Sequence, residues 1–309
     1  MKDVDVIGEY TNGNTYVIIK NDGTKIRSFD GDNAISEYPE TIDVNVSYRC
    51  NGRCEFCYQN STIDGPVADL DSDQVLQWLD SIPAYTELAL NCNDPTDPMF
   101  ERFLINCKSR KLIANITVNQ LHFIRHFDTI RRWSQADQKL IYGVGVSVSG
   151  VNDTLLGMLQ SIPNLVVHTI VGATSPKVFY KLADHDLAVL VLGYKDLGRG
   201  KNYHMIKNDL IDYNTRWLYR NIDRFVSRFK VLSFDNLALK QLNVRRFVPN
   251  WNSVFMGKDG SHSMYVDLVN KQFSVSSLTS ETERFGVPKD WNIRTMFNIV
   301  KEASNAQPG

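Results

Sequence analysis

The chain's 309 residues are enough for one large domain or one domain with appendages, and 43% hydrophobic and 22% charged residues with 18 Gly and 10 Pro exclude a disordered, collagenous or disulfide-stapled protein. Thirty-four Lys and Arg against 35 Asp and Glu leave a net charge of -1, without the basic excess that drives non-specific phosphate binding, so a nucleic-acid substrate is disfavoured. The longest apolar runs fall short of the roughly 20 residues a helix needs to cross a bilayer, so no membrane association is expected.

The N-terminus, MKDVDVIGEYTNGN, lacks the apolar stretch of a signal-peptide core, which makes the cytoplasm the expected compartment. Asn12-Gly13 and Asn21-Asp22-Gly23 are turn signals on either side of the β-rich run TYVIIK, with TKIRSF after them, and predict an antiparallel hairpin or small meander within 1–40. From residue 41 short apolar runs alternate with longer helical stretches, the pattern of β/α units on a parallel sheet, repeated six or seven times. Strands are predicted at 41–48, 86–91, 112–118, 140–149, 164–172 and 187–194, with an extra strand at 231–235. Helices are predicted between them at about 72–82, 99–109, 121–134, 152–161, 175–184 and 208–229. The first has Asp71 as its expected cap, Gln74 completing a capping box and Pro83 as its stop. Further on, Lys258-Asp259-Gly260 predicts a hairpin between NSVFM and SMYVDLV, QFSVSS reads as another strand, and 302–309 read as a frayed end.

Of five Cys, three sit together at 50, 54 and 57 in CNGRCEFC, directly after the first strand of the parallel region, which argues for a metal site over disulfides. A structural zinc site would need a fourth ligand from elsewhere. A 4Fe-4S cluster held by three thiolates instead leaves one iron exposed to a small ligand. Cys92 and Cys107 are isolated and read as small buried hydrophobes. His122 and His126 are four apart on a predicted helix but lack a third ligand at a recognised spacing, so they read as packing or surface residues. Gly198-Arg199-Gly200-Lys201 lacks the spacing of a phosphate-binding P-loop and reads as a barrel-rim loop.

CNGRCEFC resembles the CxxxCxΦC motif of the radical S-adenosylmethionine (SAM) enzymes, with Phe56 at the aromatic position, and the strand-helix order over 41–235 resembles that family's barrel. The resemblance implies an α/β fold: a partial (β/α)6 TIM-like barrel over 41–235, with an N-terminal β-hairpin extension at 1–40 and a C-terminal α+β segment at 236–309. It further implies that Cys50, Cys54 and Cys57 hold a 4Fe-4S cluster, that SAM chelates the unique iron, and that Phe56 neighbours the adenine. A reducing partner such as flavodoxin or ferredoxin follows from the same chemistry, with a peptide, protein or small molecule as substrate. The absence of Cys after residue 107 argues for a single cluster.

Where the family has a GGE-like turn after its second strand, this chain has Cys92-Asn93-Asp94-Pro95, without the glycines and with Asp94 in place of Glu. By that alignment Asp94 is a candidate for the SAM ammonium, with Asn91 and Asn93 beside it. Ser147 and Ser149 at the fourth strand's end, Asn119 at the third's, and the backbone at Leu192 and Gly193 are candidate SAM contacts, because barrel strands carry their chemistry at their C-terminal ends. Each has a structural counterpart as turn or helix-cap residue. Arg245, Arg246 and Tyr265 are candidate substrate contacts, and both extensions are expected to help close the substrate side. A different class of function, a non-catalytic metal- or cluster-binding barrel acting as a binding module, is kept open by the departure at Asp94.

Overall fold

The computed structural model describes residues 5–135 and 138–306. Three antiparallel strands open the chain, β1 (Val6–Asn12), β2 (Thr15–Lys20) and β3 (Lys25–Phe29), paired in that order as a meander. The α/β region follows as β4 (Thr41–Asn45), α1 (Asp73–Ser81), β5 (Glu87–Asn91), α2 (Pro98–Ser109), β6 (Ile113–Asn119), α3 (Gln120–Arg125), α4 (Phe127–Ser134), β7 (Gly143–Ser147), α5 (Asp153–Gln160), β8 (Leu165–Ile170), α6 (Pro176–Leu182), β9 (Ala188–Leu192), α7 (Arg199–Val226) and β10 (Val231–Phe234). The C-terminal part adds α8 (Asn236–Gln241), α9 (Trp251–Val254), β11 (Ser263–Asp267), β12 (Gln272–Ser274), β13 (Phe285–Gly286) and α10 (Ile293–Ala306).

Strands β4 to β10 pair in parallel with their sequence neighbours, as β/α crossovers dictate. Residues of one parity, such as Ile42, Val44, Leu88, Leu90, Ile116, Val144, Val189 and Val191, are buried against the helices together with Trp78, Phe103, Trp133 and Phe179. Residues of the other parity, Asp43, Ala89, Asn115, Gly145, His168, Leu190 and Ser233, line a single cavity. A flat sheet cannot wrap one cavity with all seven strands, so the sheet is curled. Among the described residues its ends do not pair with each other, which leaves an open sheet consistent with a partial TIM-like barrel.

Several boundaries differ from those expected of the sequence. Ser72, not Asp71, caps α1 by accepting from the Val75 amide, while the Asp71 carboxylate pairs with Arg102 at 2.5 Å. The helix expected at 121–134 is broken at His126 (φ −116°, ψ 27°) into α3 and α4. Helix α7 carries a kink at Lys207 (φ −114°, ψ 26°) that joins the helix expected from 208 to an additional helical segment over 199–206. NSVFM is not a strand: Trp251–Val254 form a short helix, and Val254, Phe255 and Met256 have no buried face to pair. The hairpin runs instead between β11 and β12, and β11 joins the main sheet in parallel alongside β4. The end expected to fray at 302–309 is helical to Ala306, and 307–309 lie outside the described residues. Among the described residues no helix is long and apolar enough to cross a membrane.

The N-terminal meander sits at the N-terminal ends of the barrel strands, opposite the cysteine loop, and not on the substrate side expected of it. Val17 and Ile19 pack on Ile113, Tyr85 and Tyr142, and the Asn164 amide donates to the Asn21 carbonyl. A buried charge network fastens it there. The fully buried Glu40 accepts from Arg27 Nε at 2.9 Å and Nη2 at 2.8 Å, with Lys25 Nζ at 3.6 Å, and Lys25 also pairs with Glu87 at 2.6 Å. The Ser36 hydroxyl bonds His262 Nδ1 at 2.7 Å, bringing the C-terminal part into the same network.

Candidate active site at the cysteine loop

The loop after β4 is held from three sides. From β5, Asn91 accepts from the Val46 amide at 2.7 Å and donates to the Ser47 carbonyl at 2.8 Å, and Asn93 donates to the same carbonyl at 3.1 Å. From α3, the buried His122 donates from Nε2 to Asn51 Oδ1 at 2.7 Å, a role its spacing from His126 does not reveal. From α7, Arg199 donates to the Cys54 carbonyl at 3.1 Å and the Ser61 carbonyl at 2.8 Å, while its own amide reaches the Cys57 carbonyl at 3.0 Å. Gly198 (φ +53°) permits that approach, since a Cβ there would lie 2.5 Å from the Tyr58 carbonyl oxygen. The glycine-rich segment expected at the barrel rim is therefore the clamp of the cysteine loop.

Cys50, Cys54 and Cys57 are free thiols, each half-buried and lining the cavity, which has a volume of about 1380 Å3. Burial pushes the Cys50 and Cys54 thiols up from their ordinary pKa, and each lies close enough to Cys57 to be raised further by its charge. Among the described residues no three acidic, His or Cys side chains converge on one point as a single metal ion requires. Cys92 and Cys107 are fully buried among apolar side chains, away from the triad.

Of the other candidates, Phe56, Asn93, Asn119, Ser147 and Gly193 line the same cavity, as do Asn91, Leu192 and Tyr265. Phe56 meets Tyr203 of α7 edge-on at 5.9 Å, Asn119 caps α3 through the His122 amide and places its Nδ2 3.9 Å from Cys50 Sγ, and the Gly193 amide donates to Asp235. Two candidates do not join them. Asp94 folds its carboxylate back onto the Thr96 amide (3.0 Å) and hydroxyl (2.6 Å), which hold its pKa below the ordinary value against partial burial, and it faces a separate shallow groove. Ser149 bonds Gln120 through both its amide and its hydroxyl and lies outside the cavity lining. Arg245 and Arg246 also lie outside it, with Arg246 stacked 3.4 Å from the Tyr219 ring centroid.

With the barrel and its loop in place, the chain can be set beside known proteins. No protein-family model matches it, and no curated protein does. Solved structures do. Streptococcus suis SuiB bound to S-adenosylmethionine superposes with a TM-score of 0.55 at 13% identity, over 88% of this chain and 67% of that one. The fold is shared with SuiB. SuiB bound to its precursor peptide SuiA gives a TM-score of 0.56 at 14% identity over 88% of this chain and 68% of that one. SuiB without a named ligand gives 0.55 at 12% identity, over 93% and 85%.

Sequence reasoning passed over the groups deep in the cavity. Asp43 faces cavity solvent yet is surrounded by protein, and this enclosure pushes its carboxyl up to about 6, with Lys195 opposing and Asp259 and Asp235 adding to the shift. His168 packs its ring over Gly145, where a Cβ would lie 2.3 Å from Cε1, and burial alone pushes it down to about 4. An unfolded His titrates near 6.5, so the unfolded chain takes up the proton first, and stability present above that pH is lost as pH falls towards 4. Relative to His168→Gln, the native protein is expected to lose about 2 kcal/mol of unfolding free energy between about pH 7.5 and about pH 5. Urea titrations of both proteins at the two pH values measure this, and a pH-independent difference contradicts it.

Proposed function

We propose that this chain is a radical SAM enzyme acting on a peptide or protein substrate, with Cys50, Cys54 and Cys57 as the ligands of a 4Fe-4S cluster. The observation that carries the reading is the three-cysteine loop at the C-terminal mouth of a curled α/β sheet, clamped from β5, α3 and α7 and open to a cavity large enough for SAM and part of a substrate. Sharing a fold with a protein crystallised with SAM, and separately with a precursor peptide, supports the cofactor and the substrate class. When bound, the cluster would supply one electron, drawn from a flavodoxin- or ferredoxin-type partner, to cleave SAM to a 5'-deoxyadenosyl radical that takes a hydrogen atom from the substrate.

The chain's own residues prepare and shield that site. Arg199 fixes the carbonyls of Cys54 and Ser61 and so sets the path of the loop between the ligands. Phe56, backed by Tyr203, offers an apolar face to the adenine, and Ser147, Asn119 and the backbone at Gly193 offer polar contacts to the rest of SAM. The barrel wall excludes bulk water from a reactive intermediate.

A second reading, a non-catalytic metal- or cluster-binding module, draws on Asp94, whose carboxylate is spent on Thr96 rather than offered to the cavity. Metal analysis after anaerobic purification separates the two. The enzyme reading expects iron and acid-labile sulfide near four each per chain with SAM bound saturably, whereas one zinc per chain, or a cluster that ignores SAM, supports the module.

A further inference from the structure

Resting on the reading that the cavity receives substrate, the geometry points to a subsite within the barrel for a cationic group carried on an aliphatic stem, with Asp43 as its anionic acceptor and His168 on the facing wall as its neutral one. Asp43 lies on the inward row of β4, and the residues beside it in register, Ala89 and Tyr265, leave open space on the β5 side. Among the described residues its carboxylate makes no hydrogen bond or ion pair. The charges that act on it are the Asp235 and Asp259 carboxylates and the Lys195 ammonium, so three carboxylates share one cation.

The other members of that group are already engaged. Lys195 donates to the Ser277 hydroxyl at 2.8 Å and sits 4.0 Å from the Tyr58 ring centroid. Asp235 accepts from the Gly193 and Ala238 amides at 2.8 and 2.7 Å, and Asp259 accepts from Asn236 at 2.6 Å. Asp43 is left as the open acceptor in a region of net negative charge, which favours a cation over a neutral donor. His168 supplies an independent observation. It is 9% exposed and lines the cavity, and with Nδ1 buried out of reach the ring nitrogen left open to the cavity without a hydrogen-bond partner is Nε2. Held neutral by burial, it adds no repulsion to a cation. Leu190, Leu192 and Ile170 on β8 and β9 provide an apolar flank for the stem.

Equilibrium dialysis of the full chain, as purified and after reconstitution with iron, sulfide and SAM, tests this with Nα-acetyl-lysine amide and Nα-acetyl-arginine amide against the neutral Nα-acetyl-norleucine amide. The native chain is expected to bind a cationic probe at least about 10-fold more tightly than the neutral one, and Asp43→Asn to remove that preference while Asp43→Glu keeps it. His168→Gln is expected to weaken both cationic probes by a smaller factor. Equal binding of the three probes by the native chain, no binding of either cation, or a preference that survives Asp43→Asn overturns the subsite. None of these readouts involves SAM cleavage, so a failure of the radical reading shows in metal content and product assays instead.

Discussion

Replacing any one of Cys50, Cys54 and Cys57 by Ala is expected to strip the iron-sulfur chromophore from the reconstituted protein and to lower SAM cleavage by far more than 100-fold. On the proposed reading three thiolates hold the cluster, so loss of one exceeds the about 10- to 100-fold that changes to groups behind the ligands of a metal site typically cost. Cys92→Ala and Cys107→Ala are the matched controls. Both thiols are fully buried in the apolar layer, so each change is a small truncation that leaves iron content intact. Iron analysis and the visible absorption of the five variants decide the matter, and equal iron loss across all five would assign the metal to non-specific thiol binding.

The second large effect concerns the base of the barrel. Glu40→Ala is expected to destabilise the fold by about 3–5 kcal/mol, because it leaves the nearly buried Arg27 guanidinium with no carboxylate and only the Met256 carbonyl as oxygen acceptor, and takes one of two carboxylates from Lys25. An exposed ion pair would cost less than about 1 kcal/mol. Replacing both partners with apolar residues, as in Arg27→Met with Glu40→Leu, is expected to recover much of the loss, since the penalty arises from the stranded charge rather than from the missing attraction. Urea denaturation of the native protein and both variants measures it, and a Glu40→Ala effect below about 1 kcal/mol would show that water reaches the network.

The order of the β/α units was legible because each strand and helix carries its own local pattern, and the cysteine loop because three thiols in eight residues leave few alternatives. What escaped depends on long-range contact. The segment of α7 ahead of the kink at Lys207 escaped because its opening, Gly198-Arg199-Gly200-Lys201, reads locally as a loop. The joining of β11 to β4 unites segments more than 200 residues apart, and nothing in SMYVD specifies a parallel partner. Asp94 was open to two readings, SAM contact or turn residue, and the structure has Thr96 two residues on engaging its carboxylate in a local Asx turn. Asp43 sat in an alternating run that reads as an ordinary half-exposed strand, and only the curling of the sheet turns its outer face into the lining of a cavity.

Anaerobic incubation of the reconstituted chain with SAM and dithionite, scoring 5'-deoxyadenosine against the Cys50, Cys54 and Cys57 triple Ala variant, tests the central claim most directly. Product that requires both the reductant and the three cysteines is the result predicted here. An iron-loaded chain that binds SAM yet forms no 5'-deoxyadenosine, or a chain that takes up only zinc, would contradict it.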